Sequence, residues 1–361
     1  TTFSTTSNEY LQERFITNQR TNVTTTDHKK RYPDADTKRL GVYVQDEIQI
    51  GKVDVIAGLR YEKTKVDVES DALHTAYCTG GGSYSCNLGE LDVESFTPKI
   101  GGILDLNQNV SVYGQYAMGF KTPTWSEMNA IQTNLTASAP YQVRPNPNLD
   151  PEKSHSFEIG LRSKTERNQL RIATFYNKYE DFIGTSSPKI ETVDGVANVS
   201  VTTPENNEEA LIWGIELNND FVVTENDKGK ISLINSVSYL KGTNEEKDEP
   251  LQGIDPFKLV TGVRYDAPND KFNTELIATY LGQAKLPDSD TYFNPNAVTI
   301  FDLIGSYSIN KDFTLDLGVY NLADKRHYKY QNTRTVSNSA TSIERYSEPG
   351  RSIKAGFKFR F

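Results

Sequence analysis

Hydrophobic and polar residues alternate along much of this chain, and the alternation is clearest over its last residues. Apolar side chains occupy every second position there, at Ile353, Ala355, Phe357, Phe359 and Phe361. Successive side chains of a β-strand point to opposite faces, so the pattern predicts a strand with one apolar and one polar face. The same alternation predicts strands over residues 298–308 and 313–319.

Two kinds of connection separate the strand-like segments. Short connections rich in Asn, Asp, Gly and Lys supply the backbone geometry of tight turns, and they lie at 51–52, 107–109, 165–168, 225–229, 268–270 and 310–312. The other connections are long and polar, at 69–91, 121–151, 184–208, 244–255, 285–296 and 331–349. Short turns at one end and long loops at the other are typical of outer-membrane barrels, whose long loops lie outside the cell. The pattern therefore predicts an all-β protein, a transmembrane antiparallel β-barrel.

The number of strands indicates how the chain relates to a complete barrel. About thirteen strands lie between Lys38 and Phe361, whereas bacterial single-chain barrels have even strand numbers. We therefore expect residues 1–36 to be an extracellular loop or partial strand region, and residues 37–361 to be the C-terminal portion of a barrel. A complete plugged barrel of about 22 strands would require about nine further strands and a plug domain before Thr1.

Bulk composition alone favours a soluble protein, because only 36% of the residues are hydrophobic and the mean hydropathy is -0.59. A barrel strand turns only every second residue toward lipid, however, which dilutes the apolar fraction. No segment approaches the run of about 20 apolar residues that a membrane helix needs. The 20 Tyr and 16 Phe residues suit the aromatic girdles of a barrel, although a large soluble β-sandwich would have the same bias.

Charge and motif content exclude other classes of protein. The formal net charge is -9 and no basic stripe stands out, so nucleic acid is not expected as a partner. The chain contains no recognisable Ser-His-Asp arrangement, phosphate-binding loop or His-Glu-x-x-His motif. We therefore expect no enzyme activity.

The two cysteines, Cys78 and Cys86, flank a Gly-rich segment. Such a segment is flexible enough to close, which predicts a local disulfide formed in an oxidising compartment. A metal site is the weaker alternative, because the spacing does not match a Cys-x-x-Cys pair and there is no second pair.

Four segments and the last residue carry a more specific resemblance. Residues 32–48 begin Tyr-Pro-Asp-Ala-Asp-Thr-Lys-Arg, and residues 318–328 read Gly-Val-Tyr-Asn-Leu-Ala-Asp-Lys-Arg-His-Tyr. Two boxes lie between them, formed by Phe120, Lys121, Thr122 and Pro123, and by Asn146, Pro147, Asn148 and Leu149. These segments resemble TonB-dependent outer-membrane receptors of the haem and haemoglobin receptor family. The terminal Phe361 resembles the C-terminal signature that the barrel assembly machinery reads.

The two boxes carry the haem part of this resemblance. The second box matches the family as it stands, whereas the first has Lys121 and Thr122 where the family has Arg and Ala. The resemblance implies a Gram-negative outer-membrane receptor that imports haem from a haemoglobin-like or other haem-carrier protein. TonB would supply energy through N-terminal elements outside this chain.

Three other interpretations stay open. Related boxes occur in receptors for other iron carriers, so the ligand could be a ferric siderophore or another iron-binding protein. A passive porin or adhesin-like barrel would have the same strands. The prolines of the boxes could also serve only to stiffen the loop.

Haem receptors commonly hold the iron through a His between the two boxes, but residues 125–145 contain no His. The phenolate of Tyr141 is the good iron ligand in that stretch, and Tyr141 is therefore the first candidate haem ligand. His74 is the second candidate, because the segment that contains Cys78 could reach the barrel mouth. The alternative for Tyr141 is packing on the loop or contact with a partner protein.

Overall fold

The computed structural model describes residues 1–79, 88–268, 271–287 and 291–360, apart from the side chains of Thr79, Asn207 and Glu208. Its strands are β1 (Thr2–Asn8), β2 (Gln12–Asn18), β3 (Val23–Lys29), β4 (Asp34–Ile50), β5 (Val53–Glu69), β6 (Leu91–Asn107), β7 (Val110–Lys121), β8 (Gln132–Asn134), β9 (Tyr141–Val143), β10 (Glu152–Lys164), β11 (Asn168–Thr185), β12 (Lys189–Val193), β13 (Val196–Thr202), β14 (Pro204–Asn226), β15 (Gly229–Asn244), β16 (Glu249–Pro250), β17 (Lys258–Asp266), β18 (Phe272–Leu281), β19 (Val298–Ser308), β20 (Phe313–Tyr320) and β21 (Ser352–Phe359). The helices are α1 (Ala72–Thr79), α2 (Trp125–Asn129), α3 (Tyr330–Thr333) and a 3-10 turn at Ile343–Tyr346. Within the described ranges, no helix is long and apolar enough to cross a membrane.

Most strands belong to one antiparallel sheet, which confirms the predicted fold class. Its order is β1-β4-β5-β6-β7-β10-β11-β14-β15-β17-β18-β19-β20-β21, and β16 pairs with β15. In the described part of the chain, the path from β4 to β21 contains thirteen strands, in agreement with the alternation from Lys38 onward. The assignment of residue 361 to a barrel signature stays a prediction, because Phe361 lies outside the described residues.

Residues 1–36 form more regular structure than their Thr-rich sequence indicates. β1 pairs with β4 from Thr2 opposite Gly41 to Asn8 opposite Ala35. β2 and β3 form a separate two-stranded hairpin, in which Phe15 lies opposite Thr26. The extracellular position of this region stays a prediction.

The short connections close one end of the main sheet, and the long ones lie at the other end. Only two residues, Gly51 and Lys52, join β4 to β5. Gly51 has a φ of 64°, a left-handed conformation that glycine adopts without steric cost. The predicted asymmetry of short turns and long loops is therefore present.

One face of the main sheet is apolar and exposed. Val44 lies opposite Leu59, and Ile48 lies opposite Val55; the side chains of Val44, Leu59 and Ile48 are 66%, 45% and 50% exposed. In the last strand, Ile353 is 76% exposed. Burial of one such side chain contributes about 1.5–3 kcal/mol. A face with many of them therefore requires an apolar surrounding.

The opposite face of the same sheet is polar. Arg60, opposite Tyr43, donates to the carboxylate of Glu62 with an Nε–Oε2 distance of 3.0 Å. Further along the sheet, the hydroxyl of Tyr113 donates to Glu158 at 2.9 Å. A polar inner face and an apolar outer face are the two surfaces of an outer-membrane barrel wall.

Candidate ligand-binding site in the long loops

The long loops that follow β5, β7 and β11 pack against one another at the end of the sheet opposite the tight turns. Met128 and Leu149 of the middle loop form a buried cluster with Val66, Leu91 and Ala35 of the neighbouring strands. We call residues 69–79, 88–90, 122–151 and 186–203 the loop assembly. Buried apolar contacts of this kind hold long loops in one conformation.

The first box lies where β7 leads into the loop assembly. Lys121, on the polar face, forms an ion pair of 3.1 Å with Glu152 of β10. The other carboxylate oxygen of Glu152 accepts the backbone N–H of Ile183 at 3.0 Å. Phe120 is half-buried on the opposite face of the strand, across from Lys153. Lys121 and Glu152 together therefore connect β7, β10 and β11.

The remainder of the first box, Thr122 and Pro123, leads into helix α2. Thr122 is half-buried and Pro123 is buried. Thr124 and Glu127 form a capping box, in which the N–H of Thr124 donates to Glu127 at 2.8 Å and the N–H of Glu127 donates to Thr124 at 3.2 Å. Such reciprocal bonds satisfy backbone donors at the helix start. The helix is therefore fixed directly after the box.

The second box connects parts of the loop assembly through its backbone and side chains. The side-chain amide of Asn146 donates to the carbonyl of Pro204 at 3.0 Å, and its oxygen accepts the N–H of Asn148 at 3.0 Å. Leu149 is 4% exposed in the buried cluster. Pro147 lies against Gly89, because a Cβ atom at Gly89 would come within 2.9 Å of the proline Cα. Both boxes thus have a structural role in the described residues.

A small sheet joins the second and third loops. Its order is β12-β13-β9-β8, and β9 runs parallel to β13 and antiparallel to β8. Val193, Val199 and Val201 are buried on one face. On the same side, Arg144 donates to Gln142 and to Glu191, both at 2.8 Å. Residues from two loops that are distant in sequence therefore form one unit.

Tyr141 lies on the opposite, exposed face of this small sheet. It pairs with Ser200, and Ser200 pairs with Ile190 of β12. Tyr141 is 41% exposed and Ile190 is 65% exposed. Directly opposite residues share a sheet face, so Tyr141 and Ile190 lie on the same face, with Ser200 between them. In the described part of the chain, the Tyr141 hydroxyl has no hydrogen-bond partner.

His74 has a different environment from Tyr141. It is 2% exposed in α1, and its Nδ1 atom lies 2.8 Å from the hydroxyl of Ser70. Its Nε2 atom is buried without a hydrogen-bond partner in the described residues. Within those residues, no hydrogen bond or ring contact joins His74 to Tyr141. The proposed ligand role of His74 stays a prediction, and it would require residues that cover the ring to move.

The residues around His74 are charged. Lys30 forms ion pairs of 2.6 Å with Asp34 and 2.8 Å with Asp71, and Asp71 also accepts the N–H of His74 at 2.8 Å. Burial alone would lower the pKa of Lys30, but the two carboxylates outweigh that effect and raise it. Hydrogen bonds from Lys30 and from the His74 backbone lower the pKa of Asp71. Burial lowers the pKa of His74, which favours a neutral imidazole.

The predicted disulfide falls only partly within the described residues. Cys78, near the end of α1, is 3% exposed. Cys86 lies outside the described residues, so the Cys78–Cys86 disulfide stays a prediction. The described residues contain no group of His, Cys, Asp and Glu side chains suited to hold a metal ion.

An exposed apolar sheet face, a polar inner face and interlocked loops at one end define an outer-membrane β-barrel receptor. Residues 1–322 match the family described as TonB dependent receptor-like, beta-barrel, and the chain belongs to this family. Members of the family are outer-membrane proteins of Gram-negative bacteria, which confirms the predicted location. Membership also confirms that this chain is a receptor chain and not an enzyme.

Several curated proteins are similar to most of the chain. The hemoglobin-haptoglobin utilization protein B of Neisseria meningitidis serogroup A is 28% identical over 84% of this chain and 42% of the relative. The hemoglobin-binding protein A of Haemophilus influenzae is 26% identical over 68% of this chain and 27% of the relative. The transferrin-binding protein A of N. meningitidis serogroup B is 24% identical over 88% of this chain and 36% of the relative. The chain thus spans less than half the length of these relatives.

Solved structures share the fold at lower identity. The copper transporter OprC has a TM-score of 0.75 and 18% identity, over 96% of this chain and 51% of the other. A mutant of the ferric enterobactin receptor of Pseudomonas aeruginosa has a TM-score of 0.69 and 16% identity, over 99% of this chain and 58% of the other. These similarities support the barrel fold and do not identify the ligand.

Proposed function

We propose that this receptor binds haem outside the cell and imports it, with Tyr141 as a ligand to the ferric iron. The observation that carries the proposal is the exposed phenol of Tyr141 on a sheet built from two interlocked loops. A phenolate oxygen is an established type of ligand to ferric haem iron. Two relatives named for haemoglobin binding or use support the same class of ligand.

The surroundings of Tyr141 suit a flat, largely apolar ligand. Ile190 lies on the same sheet face and is 65% exposed, so it can pack against a porphyrin. Ser200, between the two, is small enough to leave the face nearly flat. The buried valines behind this face hold the small sheet together before the ligand arrives, which reduces the entropy lost on binding.

A haem-carrier protein is the proposed source of the haem. The loop assembly exposes Tyr141 and Ile190 among polar residues, a mixture that suits protein recognition. Release into the periplasm would use energy from the inner membrane, transmitted by TonB through a plug domain. Membership of the TonB-dependent receptor family supports this route of energy supply.

A ferric siderophore or an iron-binding protein is the second candidate ligand. It is favoured by the similarity to a transferrin-binding protein. A phenolate can also bind iron that is not held in a porphyrin. A passive porin is disfavoured, because the family is one of TonB-dependent receptors.

A haemin titration of the purified receptor in detergent tests the proposal. The wild type should shift the Soret band of haemin, and Tyr141→Phe should abolish the shift because it removes only the ligand oxygen. Tyr346→Phe is the matched control, since Tyr346 is 39% exposed in another long loop. Absence of a shift with the wild type would favour the siderophore or iron-protein alternative.

A further inference from the structure

A cavity lies in the polar face of the sheet, beneath the loops that follow β15, β18 and β20. It has a volume of about 480 Å³ and is lined by strand residues such as Ser238 and Lys258 and by the loop residues Pro295 and Tyr328. Lys258 begins β17, opposite Ser238 of β15. Small-molecule sites in proteins commonly occupy about 300–1,000 Å³. The cavity is therefore large enough for part of a transported ligand.

Hydrogen bonds hold the roof of this cavity in place. The hydroxyl of Tyr330, which is 6% exposed, accepts the N–H of Gly253 at 3.2 Å. The side-chain amide of Gln331 donates to the carbonyl of Gly253 at 3.0 Å and to Asp255 at 2.8 Å. Two loops that are far apart in sequence are thus joined above the cavity. The cavity exists before any ligand enters it.

Charged residues of both signs line the cavity, namely Asp255, Lys258 and Lys329. Lys329 forms an ion pair of 2.9 Å with Glu348, and Asp255 accepts the amide of Gln331. Lys258 is exposed, and among the described residues no carboxylate lies within ion-pair distance of its ammonium group. Apolar side chains, including Leu281 and the ring of Tyr328, line the same cavity. The cavity thus presents the ammonium group of Lys258 beside apolar walls.

We propose that this cavity binds the carboxylate-bearing edge of the transported ligand, with Lys258 as the residue that contacts the carboxylate. The inference rests on the proposed function, which makes that group a propionate of haem. An ammonium beside apolar walls matches a porphyrin edge, where propionates extend from an apolar ring. A carboxylate would form a charge-assisted hydrogen bond with Lys258 and occupy the position that no described side chain fills.

Equilibrium binding of haemin and of haemin dimethyl ester to the purified receptor tests this proposal. Lys258→Gln should weaken haemin binding by about tenfold, because it removes one charge-assisted hydrogen bond. The same change should leave binding of the ester, which has no carboxylate, unaltered. Lys258→Arg should retain most of the haemin affinity.

Lys358→Gln is the matched control. Lys358 also lies on the polar face, but near the end of β21 and paired with Asp316 at 3.1 Å. This variant should bind both ligands as the wild type does. Equal haemin affinity in Lys258→Gln and wild type, or equal weakening of both ligands, would overturn the inference and leave the proposed function standing. A wild type that binds no haemin would overturn both.

Discussion

Asn129 and Gly89 hydrogen-bond to each other in both directions across 40 positions of the chain. The N–H of Gly89 donates to the Asn129 oxygen at 2.7 Å, and the Asn129 amide donates to the Gly89 carbonyl at 3.0 Å. Asn129 is 3% exposed, so both bonds are protected from water. This pair joins the loop after β5 to the loop that carries Tyr141.

Replacement of this asparagine should loosen the loop assembly. Asn129→Ala leaves the buried N–H and carbonyl of Gly89 without partners, at a cost of about 1–3 kcal/mol for each group. Amide hydrogen exchange of residues 88–90 and 125–130 should become faster, while exchange in the main sheet stays unchanged. Asn148→Ala is the matched control, because the exposed side chain of Asn148 has no hydrogen bond in the described residues. Similar exchange in the two variants would argue against the proposed link.

The stability of helix α1 should depend on pH through His74. Burial lowers the folded-state pKa of His74, so the unfolded segment binds a proton more readily than the folded one. The stabilisation of α1 by neutral His74 is complete above the pKa of an unfolded histidine, about 6.5, and it declines as the pH falls below that value. Hydrogen exchange of residues 72–79, corrected for intrinsic rates, should therefore show increasing opening from pH 7 toward pH 5.

His74→Gln should remove this pH dependence over the same interval. The pKa of Asp71 is also lowered, but its contribution is lost only below the ordinary carboxylate pKa of about 4. The two groups therefore act in separate pH ranges. An unchanged slope between pH 7 and 5 in His74→Gln would contradict the assignment to this histidine.

The two faces of the main sheet should tolerate charge differently. Leu276, in the middle of β18, is 46% exposed on the apolar face, and its neighbour Ile277 lies on the polar face. Leu276→Arg should cost about 2–4 kcal/mol at the bilayer midplane. The fraction of receptor that assembles in the outer membrane and shows heat-modifiable mobility should decrease. Ile277→Arg is the matched control, and a larger defect in that variant would reverse the assignment of the faces.

The alternation in the sequence predicted the strands that cross the main sheet, because each has one apolar and one polar face. It did not predict β8, β9, β12 and β13, since short strands in polar loops carry little periodicity. The pairing of Tyr141 with Ser200 depends on tertiary contacts between distant loops. The sequence of one loop therefore does not indicate which residues of the other loop it will pair with.

The sequence singled out Tyr141 and His74 as candidate ligands, but it did not indicate how exposed each side chain would be. Tyr141 is exposed in the loop assembly, whereas His74 is buried near an ion pair between Asp71 of its own loop and Lys30 of a distant segment. The motif of the second box could be recognised in the sequence, but the hydrogen bond from Asn146 to the carbonyl of Pro204 could not. Lys258 had no sequence signal, because a single lysine at a strand start is common.

In a strain where this receptor is the sole route for haem, growth on haemin as the only iron source measures import that depends on Tyr141. We expect growth with the wild type and with Tyr346→Phe, but strongly reduced growth with Tyr141→Phe at limiting haemin. Deletion of TonB should abolish growth on haemin, and all strains should grow equally on abundant ferric salt. Undiminished growth on haemin in Tyr141→Phe or without TonB would rule out haem import that depends on both Tyr141 and TonB.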